Sequence, residues 1–238
     1  MIRIGTAGWG RPREVAHHFP PQGTGLQRYA AVFDAAEINT SFYRPHQPKT
    51  YARWAAETPD GFCFSVKAPR AVTHDARLQD CGDLMRAFRS EASALGPKLG
   101  PLLVQLPPKL AFDAAVAAPF FEDLRTIWPE PVACEPRHAT WFMPEAEALL
   151  VRHRIARVAA DPAPYPPAAR PGGWPGLAYW RLHGSPRMYV TPYDEERLRR
   201  LAAQLLAGEA QETWVIFDNT ASGAAAADAL RLREIMSA

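Results

Sequence analysis

Residues 132–161 read VACEPRHATWFMPEAEALLVRHRIARVAAD, and this stretch decides the fold class. It contains two short apolar runs, 132–135 and 155–161, separated by a segment of helical spacing at 144–153. A strand, a helix and a second strand in this order are typical of a βαβ unit with parallel strands. Each apolar run ends in an acidic residue, Glu135 or Asp161, so the unit also places polar side chains at strand ends.

The same alternation continues in both directions along the chain. Further strands are predicted at residues 2–5, 36–39, 61–67, 101–106, 177–183 and 213–219. Further helices are predicted at residues 25–35, 49–58, 81–95, 114–127, 194–206 and 221–235. This rhythm suits a parallel sheet that is either closed or doubly wound, and the length permits one domain or two. Eight strands predict the α/β class, specifically a single-domain (β/α)8 TIM-like barrel over residues 1–238.

One helix is missing from this pattern, after the sixth strand. Residues 162–176 carry prolines throughout, and proline lacks the backbone N–H that a helix interior needs. A domain linker would have a similar composition, but the strand and helix rhythm resumes afterwards, which favours a Pro-rich loop within one barrel. A second long loop, residues 6–24, follows the first strand. Both loops are expected on the carboxyl-terminal face of the barrel, as a rim or lid.

The composition is that of a soluble globular protein, with 47% hydrophobic and 22% charged residues. A net charge of +2 is too balanced for attraction of nucleic acid or a membrane by the whole surface. No apolar run of about 18 residues suggests a membrane span. Cys63, Cys81 and Cys134 have no zinc-site spacing and are expected to be reduced thiols, in keeping with a cytoplasmic location.

Nearly every predicted strand ends in a polar residue, although buried parallel strands are normally apolar throughout. These residues are Thr6, Glu37, Asn39, Lys67, Gln105, Glu135, Asp161, Arg181, His183 and Asn219. Taken singly, each has a structural explanation, such as a turn cap or an ion pair. Agreement among eight strands favours a ligand site, because characterised barrels keep their active sites at the carboxyl ends of their strands.

The period of two along a strand predicts which side chains meet inside the barrel. Glu37, Lys67, Glu135, Asp161 and Arg181 are expected to converge in one pocket. Residues of the opposite parity are expected to face the helices; they are Phe62, Phe64, Val66, Trp180 and Leu182.

The mixture of side chains at the strand ends indicates the chemistry. Lys67, Arg137 and Arg181 suit a carboxylate or phosphate, because guanidinium groups bind these anions in a bidentate manner. The predicted catalytic residues are Glu37, Lys67, Glu135 and Asp161. The predicted ligand-binding residues are Thr6, Trp9, Asn39, Tyr43, His74, Gln105, Arg137, His138, Trp141, Arg181, His183 and Asn219.

No cofactor is predicted. Three fixed cations would repel a divalent metal, and no HxxxE or HxH cluster is present, so no metal ligands are assigned and a metal stays the minority alternative. The chain also lacks a Gly-x-Ser-x-Gly elbow, a P-loop and a dinucleotide-binding glycine motif. Serine hydrolysis of the α/β-hydrolase type, nucleoside-triphosphate hydrolysis and a nicotinamide cofactor therefore lose support.

Eight segments resemble, in order, motifs of the DUF72 family, the YecE-like barrel proteins. They are residues 5–9 (GTAGW), 37–43 (EINTSFY), 64–67 (FSVK), 73–74 (TH), 105–107 (QLP), 135–141 (EPRHATW), 181–184 (RLHG) and 217–219 (FDN). The resemblance implies a (β/α)8-like barrel and points to the same polar residues, but it supplies no reaction.

Four positions depart from the family motifs. Ala7 and Thr140 stand where the family usually has serine, Pro136 where it usually has phenylalanine, and Asp218 where it often has asparagine. Ala7 argues against a nucleophilic serine in the first loop.

Two functions remain open on the sequence. The first is an enzyme that acts on an anionic small molecule or phosphodiester by hydrolysis or proton transfer. The second is a non-catalytic module that binds a phosphorylated or nucleic-acid ligand through its cations and aromatic side chains. A structural scaffold is the weakest interpretation, because it does not explain why charged residues occur at so many strand ends.

Overall fold

The computed structural model describes residues 1–237 and has the predicted α/β barrel architecture, built on one sheet of ten strands. The strands are β1 (Ile2–Ala7), β2 (Ala35–Ile38), β3 (Cys63–Lys67), β4 (Leu99–Gln105), β5 (Val132–Glu135), β6 (Ile155–Arg157), β7 (Ala159–Asp161), β8 (Gly172–Gly173), β9 (Leu177–Leu182) and β10 (Glu212–Phe217). The α-helices are α1 (Gly25–Ala30), α2 (Pro48–Ala56), α3 (Gly82–Ala92), α4 (Ala114–Ile127), α5 (Pro144–Arg152), α6 (Glu195–Leu206) and α7 (Ala224–Ser237).

The strands follow one another around the barrel in the order β7-β9-β10-β1-β2-β3-β4-β5-β6-β8. All neighbouring pairs are parallel except β6 with β8. The register brings strand ends together: Ala7 lies beside Glu37, and Gln105 lies beside Glu135. The carboxyl ends of the strands therefore share one face of the barrel.

The predicted strand at residues 155–161 is interrupted at Val158, which divides it into β6 and β7. Its first half pairs with β5 and its second half pairs with β9. Val158 itself donates its backbone N–H to the carbonyl of Cys134, 2.9 Å away. This one segment thus joins the two ends of the sheet and nearly closes the barrel.

Two apolar clusters show which way the strand residues face. The cluster inside the barrel includes Leu103, Ala133, Tyr179, Trp214 and Ile216. The cluster between sheet and helices includes all five residues predicted to face outward, Phe62, Phe64, Val66, Trp180 and Leu182. The predicted parity is therefore confirmed for β3, β5 and β9.

The predicted helix at residues 25–35 is too long. It begins where Thr24 and Gln27 form a reciprocal cap, and it ends at Ala30. A short turn then leads to Ala35, which already belongs to β2. The other predicted helices differ from the observed ones by only a few residues at their ends.

No α-helix occupies the described residues 162–176, as the prolines predict. The segment holds a 3₁₀ turn at Pro166–Ala169 and the short strand β8, which pairs antiparallel to β6. Arg157 points outward from β6 and donates to the carbonyl of Pro167 at 2.9 Å and to Glu147 at 2.9 Å. The segment therefore covers the outer face of β6, where a helix would lie. Its residues Pro167, Gly172 and Gly173 contact β6 and do not form the expected lid over the pocket.

The long loop after β1 also packs against the helix layer. It contains a 3₁₀ helix, Arg13–His18, and it buries Val15 and Phe19 in the outer cluster. In the described part of the chain, no helix combines the length and apolar character needed to cross a bilayer.

Candidate functional site

Arg181 lies fully buried inside the barrel and binds three carboxylates. Its Nε and Nη2 donate to the two oxygens of Glu37 at 3.0 and 2.7 Å. Its Nη1 donates to Glu135 at 2.8 Å, and Nη2 also donates to Asp218 at 3.0 Å. Although burial opposes the charge, these carboxylates hold the pKa of Arg181 well above its usual value. Arg181 is therefore the cation that holds the strand ends of β2, β5 and β10 together.

Glu37 has both carboxylate oxygens engaged. Besides Arg181, its Oε2 accepts a hydrogen bond from the hydroxyl of Tyr179 at 2.9 Å. That hydroxyl lies 2.7 Å from the hydroxyl of Ser65. Burial and the charge of Glu37 raise the pKa of Tyr179 well above its usual value, so the phenol stays protonated and serves as a donor. Both groups that bind the carboxylate of Glu37, Tyr179 and Arg181, therefore lie on β9.

Glu135 is engaged as completely as Glu37. One oxygen accepts from Arg137 at 2.5 Å, and the other accepts from Gln105 at 3.1 Å as well as from Arg181. Burial favours the neutral acid, but the charges of Arg137, Arg181 and His183 outweigh it and hold the pKa of Glu135 well below its usual value. Glu135 therefore carries its negative charge throughout the physiological pH range.

His183 connects two of the carboxylates through its ring. Its Nδ1 lies 3.0 Å from Asp218 Oδ2, and its Nε2 lies 3.0 Å from Glu135 Oε1. The same Nε2 lies 3.0 Å from Arg137 Nη2. When protonated, Nε2 donates to Glu135; when unprotonated, it accepts from Arg137. His183 thus has a hydrogen-bond partner in either protonation state.

Lys67, the last residue of β3, is the exception in this network. Its side chain is only 5% exposed, yet its ammonium group makes no hydrogen bond or ion pair within residues 1–237. Nζ lies 4.2 Å from the centre of the Phe42 ring, a cation–π contact. Burial and the charge of Arg181 lower the pKa of Lys67 to about 8, against the opposing effect of the carboxylates. A buried cation in this protein consequently lacks an anionic partner.

Arg137 also keeps unused hydrogen-bond donors. Its Nη2 is occupied by Glu135 and His183, but its Nε is buried without a partner in the described chain. The side chain remains 14% exposed, so it reaches the surface of the network. Lys67 and Arg137 are together the two cations of the site with donors to spare.

Several predicted ligand-binding residues lie on the loops around the network. His74 and Tyr43 both contact the ring of Phe42 edge to face, with ring centres 5.0 Å apart in each case. Tyr43 is 73% exposed. The side-chain oxygen of Asn39 is buried without a partner, whereas His138 uses its Nδ1 to cap the turn that follows it. These residues form the rim of the site.

Asp161 does not join the network, and its predicted catalytic position is wrong. Ala156 and Val158 belong to the inner cluster and Ala159 to the outer one. The alternation along the segment therefore turns Asp161 toward the helices. Its carboxylate is paired with Arg197 of α6, with Nε and Oδ2 separated by 2.8 Å.

Thr6 and Asn219 also face the helix layer instead of the ligand pocket predicted for them. The hydroxyl of Thr6 lies 3.1 Å from that of Tyr29 in α1. The amide of Asn219 donates to Asp228 of α7 at 2.7 Å. Both positions have the outward parity of their strands, so they fasten helices to the barrel.

The two predicted tryptophans pack in the outer layer as well. Trp9 contacts Trp54 of α2 and Phe64 of β3, with ring centres 5.2 and 6.3 Å apart. Trp141 is buried, and its indole N–H donates to the carbonyl of Leu110 at 3.0 Å. Neither ring is positioned to stack on a ligand inside the barrel.

The prediction missed Asp218 and Tyr179 as members of the network. Trp214 and Ile216 face inward, so the same parity carries Asp218 to the interior instead of Asn219. Tyr179 shares a face with Arg181 on β9, and this signal was available in the sequence. In residues 1–237, no three His, Cys, Asp or Glu side chains are grouped as a metal ion would require.

Comparison with known proteins places the chain in a family. Residues 3–238 match the family described as "Protein of unknown function DUF72". The UPF0759 protein YecE of Escherichia coli K12 is 36% identical over 107 residues, which are 45% of this chain and 38% of that protein. The UPF0759 protein YunF of Bacillus subtilis 168 is 29% identical over 153 residues, 60% of this chain and 53% of that protein. The chain thus spans about two-fifths to one half of these relatives.

Solved structures agree with this result. A DUF72 family protein from Thermotoga maritima has a TM-score of 0.82 at 27% identity, with both chains covered completely. A DUF72 family protein from Enterococcus faecalis has the same TM-score at 21% identity, covering 100% of this chain and 96% of the other, and shows the shared fold. The match over nearly the whole sequence establishes that this chain belongs to the DUF72 family.

Proposed function

We propose that the carboxyl-terminal face of the barrel binds a small carboxylate- or phosphate-bearing molecule and that the protein is an enzyme that transfers a proton on it. The observation that carries this proposal is the largely buried side chain of Lys67, whose ammonium group has no hydrogen bond or ion pair in the described chain and keeps some contact with solvent. Partial burial of a charge that has no anion in contact costs free energy, and a bound anion in contact with it offsets that cost.

The nearby carboxylates do not provide this compensation. Those of Glu37, Glu135 and Asp218 are bound by Arg181, and Glu135 is bound by Arg137 as well. Their oxygens are therefore engaged by the guanidinium groups and make no contact with Lys67, although the three carboxylates still favour its ammonium form through space. The guanidinium group of Arg137, which has no hydrogen-bond partner for Nη1 in the described chain, offers a second anchor for an anion.

The geometry supports a different division of roles from the one the sequence suggested. Arg181 and Glu37 saturate each other and act as organisers of the site. We assign proton transfer to His183, with the carboxylate of Glu135, 3.0 Å from its Nε2, as the anion that orients the ring. His183 has a hydrogen-bond partner for Nε2 in either protonation state, which suits a general acid or base.

A binding module without chemistry is the second candidate, and the rim favours it. Tyr43 is largely exposed and lies near Arg44 and Arg70 in a surface groove. An exposed ring beside cations suits stacking on a nucleobase or contact with a phosphorylated ligand. Binding without turnover of any candidate substrate would support this function over the enzyme.

Calorimetric titration with inorganic phosphate and oxalate, at constant ionic strength, tests the anion site. The parent protein is expected to bind at least one of these anions. Lys67→Met should weaken binding at least tenfold, about 1.4 kcal/mol, because one charge-assisted contact is lost. Lys109→Met, at an exposed position, is the matched control and should bind as the parent does. Unchanged binding by Lys67→Met would contradict the proposal.

Exchange of carbon-bound hydrogen in D2O tests the enzymatic part. Proton NMR would follow a panel of phosphorylated sugars and 2-oxo acids with the parent protein and with His183→Gln. Exchange that needs the parent protein and is lost in His183→Gln supports proton transfer. Tight anion binding with no exchange across the panel would favour the binding module.

A further inference from the structure

The surroundings of Lys67 also suit a reactive amine, in addition to a counter-charge for an anion. The side chain is enclosed, and its Nζ faces the Phe42 ring with no hydrogen-bond acceptor in contact. The hydroxyl of Ser41 donates to the backbone carbonyl of Lys67 at 2.7 Å, which holds the segment carrying Phe42 against β3. The fold thus fixes an apolar surface next to the nitrogen.

The charged groups around Lys67 are arranged on several elements. Glu37 on β2, Glu135 on β5 and Asp218 after β10 favour the ammonium form, whereas Arg181 on β9 opposes it. His74, from the rim, is close enough for Lys67 to affect its titration. Burial and Arg181 prevail, and the pKa of Lys67 falls to about 8, so roughly a tenth of the molecules carry the free amine at neutral pH.

We propose that Lys67 is a covalent nucleophile whose Nζ condenses with an aldehyde or ketone carbonyl of the bound anion to form a protonated imine. This rests on the proposed function and names its substrate class, a carbonyl compound that also bears a carboxylate or phosphate. Desolvated lysines next to another cation are activated for this chemistry; the low exposure of Lys67 meets the first condition, and the charge of Arg181 meets the second.

The condensation needs no oxidant or reductant. The nitrogen lone pair forms the C–N bond, and the carbonyl π electrons move to oxygen, which takes up a proton while nitrogen releases one. The resulting hydroxyl then accepts a second proton and leaves as water, while the nitrogen lone pair forms the C=N bond. The overall balance is amine, carbonyl compound and one proton giving protonated imine and water.

Formation of the imine would activate the bound molecule for the proposed proton transfer. Its positive nitrogen withdraws electrons from the adjacent carbon, which acidifies the hydrogens on that carbon. His183, oriented by Glu135, lies on the same interior face and is the proton-transfer residue proposed above. Arg137 would hold the anionic end of the same molecule through its unused donors.

Reductive trapping tests the inference directly. The protein is incubated with pyruvate or dihydroxyacetone phosphate and sodium cyanoborohydride, and the adduct is located by peptide mass mapping. The chain has four lysines, Lys49, Lys67, Lys98 and Lys109, so competing amines are few. The adduct is expected on Lys67 at least about tenfold above each other lysine, because more of its amine is unprotonated. Equal labelling of all four lysines, or labelling only elsewhere, overturns the inference.

Two variants separate charge from nucleophilicity. Lys67→Arg keeps the positive charge but cannot form the imine, so it should retain phosphate binding and lose the adduct. Lys109→Arg should behave as the parent in both measurements. An adduct of unchanged yield in Lys67→Arg would also overturn the inference. If phosphate binds the parent and neither carbonyl probe is trapped, the covalent role fails while the anion site stands; if neither phosphate nor the probes bind, the proposed function itself fails.

A further measurement needs only the parent protein. The rate of acetylation of Lys67 by trace acetic anhydride, followed against pH by mass spectrometry, should reach half its maximum near pH 8. A midpoint close to that of free lysine, about 10.4, would contradict a reactive amine at this position.

Discussion

Single residues in the barrel interior show two kinds of buried cation. Arg181 binds three carboxylates with four hydrogen bonds, and all of its guanidinium nitrogens are used. The ammonium group of Lys67, on β3, contacts the face of the Phe42 ring and makes no ion pair in the described chain. The contrast separates a residue that stabilises the fold from one whose charge is free for a ligand, and it leads to opposite expectations for their substitution.

Arg181→Met should destabilise the protein by about 3 to 5 kcal/mol, because the substitution leaves buried carboxylates without their cation. Urea unfolding at pH 7 measures this loss. Arg200→Met removes an arginine that is exposed and paired only with Glu196 on the same helix, so it should change stability by less than about 1 kcal/mol. A similar, small effect of both substitutions would show that Arg181 does not organise the site.

Asp228 provides a pH-dependent prediction at the same scale. Burial raises its pKa from 3.8 to about 6, although hydrogen bonds from Asn219 and the backbone of Tyr193 oppose the rise. The folded protein therefore holds this proton more tightly than the unfolded chain does. Its contribution to stability is complete below about pH 4 and is lost as the pH rises through about 6.

Asp228→Asn removes this titration and should lessen the decline in unfolding free energy between pH 4 and pH 7 by on the order of 2 kcal/mol. Urea unfolding across that range measures the difference from the parent. Asp60→Asn, at an exposed position, is the control and should follow the parent curve. Parallel curves for Asp228→Asn and the parent would count against a raised pKa.

At the scale of elements, the side chains that face the barrel interior could be predicted only for strands whose two faces differ clearly in polarity. On β3 and β9, large apolar residues such as Phe64 and Trp180 alternate with polar ones such as Ser65 and Arg181, and the facing was predicted. Residues 156–161 read ARVAAD, in which alanines occur on both faces and no large apolar residue marks either one, so alternation carried little signal. The assignment of Asp161 failed for that reason.

The end of β10 posed a different difficulty. Its residues 213–217 are mostly apolar on both faces, and two polar residues, Asp218 and Asn219, follow in succession. Composition could not decide which of the two faces inward. The register with β9, which places Phe217 beside Leu182, settles it in favour of Asp218.

The segment that replaces the missing helix yields a prediction about Arg157. Its guanidinium group binds Glu147 and the carbonyl of Pro167. The same group lies 5.1 Å from the centre of the Phe142 ring, a cation–π contact. Arg157→Ala should release residues 162–171, which limited proteolysis would detect as faster cleavage there. The expected loss of stability is about 2 to 3 kcal/mol, since hydrogen bonds from a charged group are removed.

Arg53→Ala is the control for this experiment, because Arg53 is exposed and only loosely paired with Glu57 at 3.9 Å. It should leave the cleavage pattern unchanged. If Arg157→Ala is cleaved within residues 162–171 at the parental rate, the proline-rich backbone keeps its conformation without the Arg157 side chain, and the prediction is wrong.

At the scale of the whole molecule, the barrel topology was predictable and the chemistry only partly so. The order of strands and helices follows from βα repetition, and closure through residues 155–161 follows from pairing on both sides. The sequence placed Glu37, Lys67, Glu135 and Arg181 at strand ends that do converge. It could not show that Glu37 and Glu135 are both bound by Arg181, because pairing depends on side-chain positions across the barrel.

The central claim is that Lys67 is a cation kept for a ligand, and its most direct test is the unfolding free energy of Lys67→Met with and without phosphate. Without phosphate, the variant should be as stable as the parent or more stable, because it loses an unpaired buried charge and keeps most of the volume. Phosphate at about 100 times its dissociation constant should stabilise the parent by about 2.7 kcal/mol and the variant by much less. A loss of about 3 to 5 kcal/mol in the variant without phosphate would instead make Lys67 the structural partner of a buried carboxylate and contradict the claim.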